Sequence, residues 1–289
     1  MARSRAVRDT LSSLQSLPAR PSPASPEASS SAKWGRSSER LTLLYGLPAD
    51  VSLPPPSSAL LAAGPDPRHH TLGFRMLGPR GAGGVDVNEK LFPAQAGTYQ
   101  LLRRLNGVPE GAEVAALTAL ESNQELLGAV AFDKGCYLGQ ELTARSHFKG
   151  VVRKRLLPAF LVAPDAEVPP DYVLGEGGAV PRLTVPQVGS MLWSAQDEQE
   201  EEGAGGAVVQ AGAKLSGKGG VVVTPPLEGS NVAVLQLRLD KVLRDFDVGN
   251  VHEVEVGGDK VRLKILPFVP AWWPDIDVET GKARKEAGE

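Results

Sequence analysis

The second half of the chain consists of short segments in which apolar residues recur at close intervals. Six such segments cover residues 153–162, 206–213, 221–224, 231–240, 251–256 and 261–266. The last two (VHEVEV and VRLKIL) alternate apolar with charged residues, which is the period of a half-buried strand. Gly257 and Gly258 between them are typical of a hairpin turn. Several short strands joined by close turns predict a small antiparallel β-barrel domain over residues 150–275, followed by a tail over 276–289.

The first 39 residues have a different composition. They are rich in Ser, Pro, Ala and Arg and nearly free of large apolar residues after Leu17. Such a stretch buries too little apolar surface to offset the entropy lost on ordering, so we predict that it is disordered. Arg3, Arg5 and Arg8, with few acidic neighbours, also fit a mitochondrial transit peptide. A linker or tail without a targeting role fits the composition equally well.

Residues 40–149 combine strand-like and helix-like patterns. Strands are predicted over 41–45 and 71–77, with a short turn of helix over 57–63 inside a proline-rich loop. Residues 94–106 (AQAGTYQLLRRLN) place apolar residues on one helical face, and Gly107 stands where a left-handed C-terminal cap is expected. With the β-rich second half, these patterns predict an α+β protein.

The cysteine and histidine content limits the metal chemistry of the chain. The sequence contains one cysteine, Cys136, and four histidines, His69, His70, His147 and His252. The histidines lack metal-ligand spacing, and one thiolate is far short of the about four ligands that a structural zinc or an iron–sulfur cluster commonly takes. Any metal bound to Cys136 must therefore be shared with another molecule.

Charge and hydropathy argue against two classes of partner. The net charge of −3 and the isoelectric point of about 5.9 do not indicate a nucleic-acid partner. No apolar run approaches the roughly 18 residues that a membrane span requires. We therefore expect neither a nucleic-acid nor a membrane partner.

Cys136 lies in the octapeptide KGCYLGQE, residues 134–141, where two glycines permit a tight turn and keep bulk away from the thiol. Lys134 and Arg145 are close in sequence, and a nearby cation favours the thiolate, which is the metal-binding form. Residues 141–148 are predicted to form a helix whose N-terminal dipole acts in the same direction. A lone cysteine is more often a small buried core residue. The glycines and charges on both sides favour an exposed cysteine here.

This octapeptide resembles the signature of the YgfZ-type branch of the glycine-cleavage T-protein-like, folate-binding family, K-G-C-Y-x-G-Q-E. Shorter resemblances occur at 66–68 (DPR), 73–75 (GFR), 106–111 (NGVPEG) and 269–274 (VPAWWP), so the resemblance covers about residues 41–275. The signature residues are Cys136 together with Lys134, Gly135, Tyr137, Gly139, Gln140, Glu141 and Arg145.

The resemblance implies a fold and a function. It implies an incomplete T-protein-like α/β domain over residues 40–149, ending in the signature, and then the β-barrel domain. It also implies an assembly factor of the mitochondrial matrix that matures four-iron proteins such as aconitase and lipoate synthase. In that role Cys136 would help to hold a cluster shared with an A-type scaffold protein, and the recipient iron–sulfur apoproteins would be further partners.

A folate-dependent aminomethyl or one-carbon transferase is the alternative function. The family fold includes a cleft of tetrahydrofolate size, and Glu121 and Asn123 lie where T-protein-like folds place a folate-contacting acid. A polar loop before a strand explains these two residues equally well. A thiol-dependent enzyme needs an activating base, and His147 is too far along the chain from Cys136 to form a dyad with it. We therefore expect an assembly factor rather than an enzyme, with no catalytic residue.

Overall fold

The computed structural model describes residues 41–45, 62–79, 96–115, 117–184, 187–188, 209–216, 220–227, 230–244, 246–247, 251–256 and 259–284. These residues divide into two compact units, one before Gln100 and one from Gln100 onward. The disorder expected for residues 1–39 lies outside the described residues. The domain boundaries expected after residues 39, 149 and 275 stay predictions.

The unit before Gln100 contains a three-stranded antiparallel sheet. Its strands are β1 (Leu41–Tyr45), β2 (Ala62–Pro65) and β3 (Phe74–Pro79), and β3 lies in the middle. The strand expected at 41–45 is confirmed.

Two expectations for this unit need correction. The strand expected over 71–77 begins later, because His70–Leu72 form a 3-10 turn before β3. The helical turn expected over 57–63 is wrong at its end, since Ala62 and Ala63 pair with β3. Its earlier residues lie outside the described part of the chain.

Asp66 stabilises the loop that connects β2 and β3. Its buried carboxylate accepts hydrogen bonds from Arg68 Nη2 at 2.6 Å and from Arg75 Nε at 2.7 Å. Arg68 Nη2 also donates to the Tyr99 hydroxyl at 2.8 Å. Burial alone raises the pKa of Asp66, but the hydrogen bonds and charges of the two arginines outweigh it and hold this pKa below its usual value. Arg68 of the DPR segment and Arg75 of the GFR segment therefore bind the same carboxylate at one turn.

Helix α1 (Ala96–Leu105) confirms the helix expected over 94–106. Gly107 adopts the left-handed conformation with φ of 64°, and its N–H donates to the Arg104 carbonyl at 2.8 Å. The N–H of Val108 donates to the Arg103 carbonyl at 2.9 Å. These two bonds are the Schellman pattern that satisfies the last carbonyls of a helix. The buried apolar residues of α1 are Leu101, Leu102 and Leu105, and Arg103 and Arg104 are buried as well.

The short helix α2 (Ala112–Ala115) places the buried Glu113 beside α1. Glu113 accepts hydrogen bonds from both terminal nitrogens of Arg103, at 2.5 and 3.0 Å, and from Thr224 Oγ1 at 2.9 Å. Burial alone raises the pKa of Glu113, but the hydrogen bonds and charge of Arg103 outweigh it, so this pKa lies below its usual value. An ionised Glu113 is therefore part of the folded state.

We expect the stability of Glu113→Gln to decrease less with falling pH than the stability of the wild type. The folded-state pKa lies below the unfolded one, so the carboxylate contributes stability above the usual glutamate pKa of about 4.3. That contribution is lost as the pH falls through the folded-state pKa. Thermal midpoints measured from about pH 7 to about pH 3 should fall less steeply in the variant than in the wild type. The exposed Glu141→Gln is the matched control, and an equally steep Glu113→Gln curve would contradict the assignment.

The unit from Gln100 onward is built on a five-stranded sheet. Its strands, in sheet order, are β6 (Gly220–Thr224), β7 (Val232–Arg238), β4 (Lys154–Val162), β9 (Asp259–Pro267) and β8 (Val251–Val256). All neighbouring strands are antiparallel. A further pair, β5 (Arg182–Leu183) and β10 (Val269–Pro270), is parallel. The antiparallel strands expected in the second half of the chain are therefore confirmed, and the β-barrel domain with bounds at 150 and 275 stays a prediction.

The two edge strands of this sheet are linked by a short segment. Lys214 forms a bridge with Val221 of β6, and Leu215 forms one with Val254 of β8. The sheet is thus an antiparallel half-barrel within an α+β protein. The described part of the strand expected over 206–213 contains no strand, and the strand expected to reach residue 240 ends earlier because Leu239–Val242 form helix α4. Helix α3 (Gln140–Phe148) precedes β4 in the chain.

Arg155 of β4 binds to two other segments of this unit, the turn over 118–128 and the C-terminal segment. It is fully buried, and its Nη1 donates to the Leu120 carbonyl at 2.8 Å and its Nη2 to the Gly281 carbonyl at 2.9 Å. The same guanidinium pairs with Glu125. Arg155 therefore contacts both the turn over 118–128 and the C-terminal segment from β4.

Candidate functional site

Cys136 lies in an irregular segment, residues 129–139, that leads into helix α3 (Gln140–Phe148). The cysteine is exposed, as expected from the glycines and charges around it. Its exposed neighbours are Lys134, Gly135, Leu138 and Gly139. The thiol is therefore accessible from solvent immediately before a helix.

The signature residues after Cys136 build a tight turn. The N–H of Gln140 donates to the Tyr137 carbonyl at 3.2 Å, and the N–H of Tyr137 donates to the Gln140 side-chain oxygen at 3.3 Å. Gly139 between them is left-handed, with φ of 84° and ψ of 1°. Lys134 Nζ lies 5.1 Å from the centroid of the Tyr137 ring, within range of a cation–π contact. The turn thus gives Tyr137, Gly139 and Gln140 defined structural roles.

We expect Gly139→Ala to destabilise this turn, because the left-handed conformation costs an L-residue about 1–2 kcal/mol. Amide exchange in peptides covering residues 137–148 should become roughly tenfold faster. Gly135→Ala is the matched control, because Gly135 has no left-handed φ and an added Cβ meets no atom within 4 Å at either glycine. Equal exchange rates in the two variants would contradict the role given to Gly139.

Helix α3 has no buried residue. Its C-terminal end contacts Phe132, whose ring stacks on His147 with centroids 3.7 Å apart and meets Phe148 edge-on at 5.8 Å. The signature residues Glu141 and Arg145 are exposed in the first and last turns, where their charges complement the helix dipole. The aromatic contacts hold α3 to the preceding segment without a buried face.

Glu121 and Asn123 lie in the turn that Arg155 holds. Glu121 accepts a hydrogen bond from Thr118 Oγ1 at 2.9 Å. Asn123 is fully buried in the left-handed conformation, and its amide donates to the Leu156 carbonyl at 2.8 Å. The bond from Asn123 holds the turn against β4, and the bond from Thr118 lies within the turn. The assignment of both residues as folate contacts stays a prediction.

The described residues lack two features that would change the chemistry of the chain. Across the ranges that the structure describes, no group of three or more His, Cys, Asp and Glu side chains is placed to hold a metal ion. Within the same ranges, no helix has both the length and the apolar character needed to span a bilayer.

Comparison with known proteins identifies curated relatives. No protein-family model matches the chain. The protein named "Iron-sulfur cluster assembly factor IBA57 homolog, mitochondrial" from Neurospora crassa is 34% identical over 249 residues, which cover 77% of this chain and 53% of that protein. Proteins of the same name from Pyricularia oryzae (32% over 231 residues) and Mycosarcoma maydis (33% over 225 residues) cover 77% and 72% of this chain.

The aligned regions amount to 55% of the Pyricularia oryzae protein and 52% of the Mycosarcoma maydis protein. The chain therefore spans about half the length of the curated relatives it matches. The similarity extends over most of this chain, well beyond the signature octapeptide. This chain belongs to the family of these IBA57 homologs, within the YgfZ-type, T-protein-like proteins.

Proposed function

We propose that this protein is an assembly factor for mitochondrial four-iron iron–sulfur proteins and acts through Cys136 in the mitochondrial matrix. The observation that carries the proposal is the exposed position of the only cysteine, on a turn built by its own signature residues. The family relatives, which are named as iron–sulfur cluster assembly factors, support it. The proposal includes the finer fold assignment, in which residues 40–149 are a T-protein-like domain.

The number of available thiolates defines how such a factor works. An iron–sulfur cluster is commonly held by about four protein ligands, and this chain can offer one thiolate from Cys136. The remaining ligands must come from a second protein. An A-type scaffold protein is the proposed source, and apoproteins of the aconitase and lipoate synthase type are the proposed recipients. Cys136 then stabilises a cluster at the interface without changing the covalent structure of any substrate.

Anaerobic reconstitution tests this function directly. The purified chain, given iron and sulfide under reducing conditions, should hold no stoichiometric cluster. Mixed with an A-type scaffold protein, it should form a heteromeric complex with visible cluster absorbance that elutes at the summed mass in size-exclusion chromatography. The scaffold treated alone is the control. A stable cluster on the isolated chain, or cluster absorbance that never co-elutes with it, would overturn the proposal.

A further inference from the structure

Exposed apolar side chains are concentrated next to Cys136. Among the described residues, the large apolar side chains with high exposure are Leu138 (102%), Leu142 (58%), Phe148 (63%), Val151 (48%) and Val173 (68%). The first four all lie within residues 138–151, and we refer to them as the α3 face. Because α3 has no buried residue, these side chains do not contribute to a core beneath the helix. A concentration of exposed apolar side chains of this kind marks interaction sites.

The charged residues around the α3 face are mostly basic. Between residues 133 and 154 the exposed charged side chains are Asp133, Lys134, Glu141, Arg145, Lys149, Arg153 and Lys154. Five cations and two anions give this stretch a net charge of +3, whereas the whole chain carries −3. The stretch that carries the apolar side chains is therefore basic on a chain that is acidic overall, and we refer to its five exposed cations as the cationic rim.

A recess continues the α3 face at its far end. Val151 and Arg153 line an open cavity of about 250 Å³. Its other lining residues include the apolar Leu239 and Val278 and two ion pairs, Arg238 with Asp240 and Arg244 with Glu279. An apolar floor with a rim of paired charges suits an apolar side chain. Anchor residues of protein interfaces insert into pockets of this type.

We propose that the α3 face is the docking surface for a cluster-carrying partner protein whose own contact surface is an apolar patch with an acidic rim. This inference rests on the proposed function and defines the chemistry of the partner at the same site. Apolar contact at the centre and opposite charges at the rim are the usual anatomy of such an interface. Docking there brings the ligands of the partner's cluster to Cys136, which immediately precedes the face in the sequence.

Charge argues against a second copy of this chain as the occupant. In a two-fold symmetric dimer the same surface meets itself, so the cationic rim would oppose an identical cationic rim. Like charges juxtaposed across an interface are unfavourable. An acidic partner instead neutralises the net +3 of this stretch.

Isothermal titration calorimetry tests this inference by measuring the affinity of the full chain for a purified A-type scaffold protein. The scaffold protein is prepared without its cluster. The double variant Leu142→Ser with Phe148→Ser should weaken the affinity by about tenfold or more. Val173→Ser removes an equally exposed apolar side chain outside the face and should bind within about twofold of the wild type. Circular dichroism of each variant checks that the fold is kept.

Charge reversal provides a second and independent readout. Arg145→Glu with Lys149→Glu should weaken binding, and the wild-type affinity should fall when the salt concentration rises from about 0.05 M to about 0.5 M. Lys214→Glu with Arg262→Glu reverses two exposed cations outside the face and is the matched control. Equal losses in the two charge variants would indicate a general charge effect and overturn the proposal.

The remaining outcomes separate this inference from the proposed function. Wild-type affinity in the Leu142→Ser, Phe148→Ser variant would overturn the docking surface while leaving cluster sharing through Cys136 intact. A dimer of the chain alone that this variant dissociates would assign the face to a second copy and also overturn the inference. Loss of docking in the variant, together with a cluster that does not need Cys136, would retain the surface and reject the proposed function.

Discussion

Replacing Cys136 with serine is expected to abolish the visible cluster absorbance of the reconstituted complex with an A-type scaffold protein. The chain has no second cysteine, so no other thiolate of this protein can replace the lost ligand. A serine hydroxyl is a poor substitute for the thiolate ligands that iron–sulfur clusters take. The measurement is the absorption spectrum of the complex after size-exclusion chromatography, for the wild type and for Cys136→Ser.

The fold should survive this substitution. Cys136 is exposed in an irregular segment, and surface substitutions of this kind usually change stability by less than about 0.5 kcal/mol. The thermal midpoint of Cys136→Ser should therefore match that of the wild type.

A relocated thiol provides the control for position. Cys136→Ser combined with Ser146→Cys keeps one thiol but moves it onto α3. This double variant should not regain the absorbance. A spectrum unchanged by Cys136→Ser, or one restored by the thiol at position 146, would show that the position of Cys136 does not matter.

Local sequence signals predicted much of the fold and the site. Alternating segments near residues 251–256 and 261–266 identified β8 and β9, which pair with each other, because a period of two is typical of a half-buried strand. Gly107 identified the end of α1, since few other residues adopt its left-handed conformation without strain. The glycine-flanked signature predicted an exposed Cys136 for the same local reason. These features depend on a few adjacent residues, so the sequence alone is sufficient.

Features that depend on distant contacts could not be predicted in this way. Arg155 lies in the run RKRLLPAFLV, where the pattern suggests a solvent-facing cation at the start of a strand. Its burial depends on carbonyls at residues 120 and 281 and on Glu125, which are distant from it in sequence. The strand pairing of Ala62 and Ala63 likewise depends on β3, whereas their intrinsic preference is helical. The concentration of exposed apolar residues between Leu138 and Val151 depends on which side chains the rest of the fold covers, and the local sequence does not encode it.

Arg155→Met is expected to cause a large loss of stability. The methionine side chain fills a similar volume but donates no hydrogen bond, so the buried Gly281 carbonyl loses the Arg155 donor and the Leu120 carbonyl keeps only the N–H of Asn123. Glu125 at the same time loses the cation that balances its partly buried charge. Removing one partner of a buried ion pair typically costs about 3–5 kcal/mol. Chemical denaturation at neutral pH, compared with the wild type, measures this difference.

Two further variants separate the ion pair from the hydrogen bonds to the carbonyls. Arg155→Met combined with Glu125→Gln removes the uncompensated charge and should regain part of the lost stability, because the single-variant effects of contacting residues are not additive. Arg238→Met removes an exposed arginine that pairs with Asp240 on the surface, and it should leave the unfolding transition nearly unchanged. If Arg155→Met unfolds at the same denaturant concentration as Arg238→Met, Arg155 does not hold the 118–128 turn and the C-terminal segment against β4. If the double variant regains nothing, the loss lies in the two carbonyls, and the contact with Glu125 adds little to the stability of the fold.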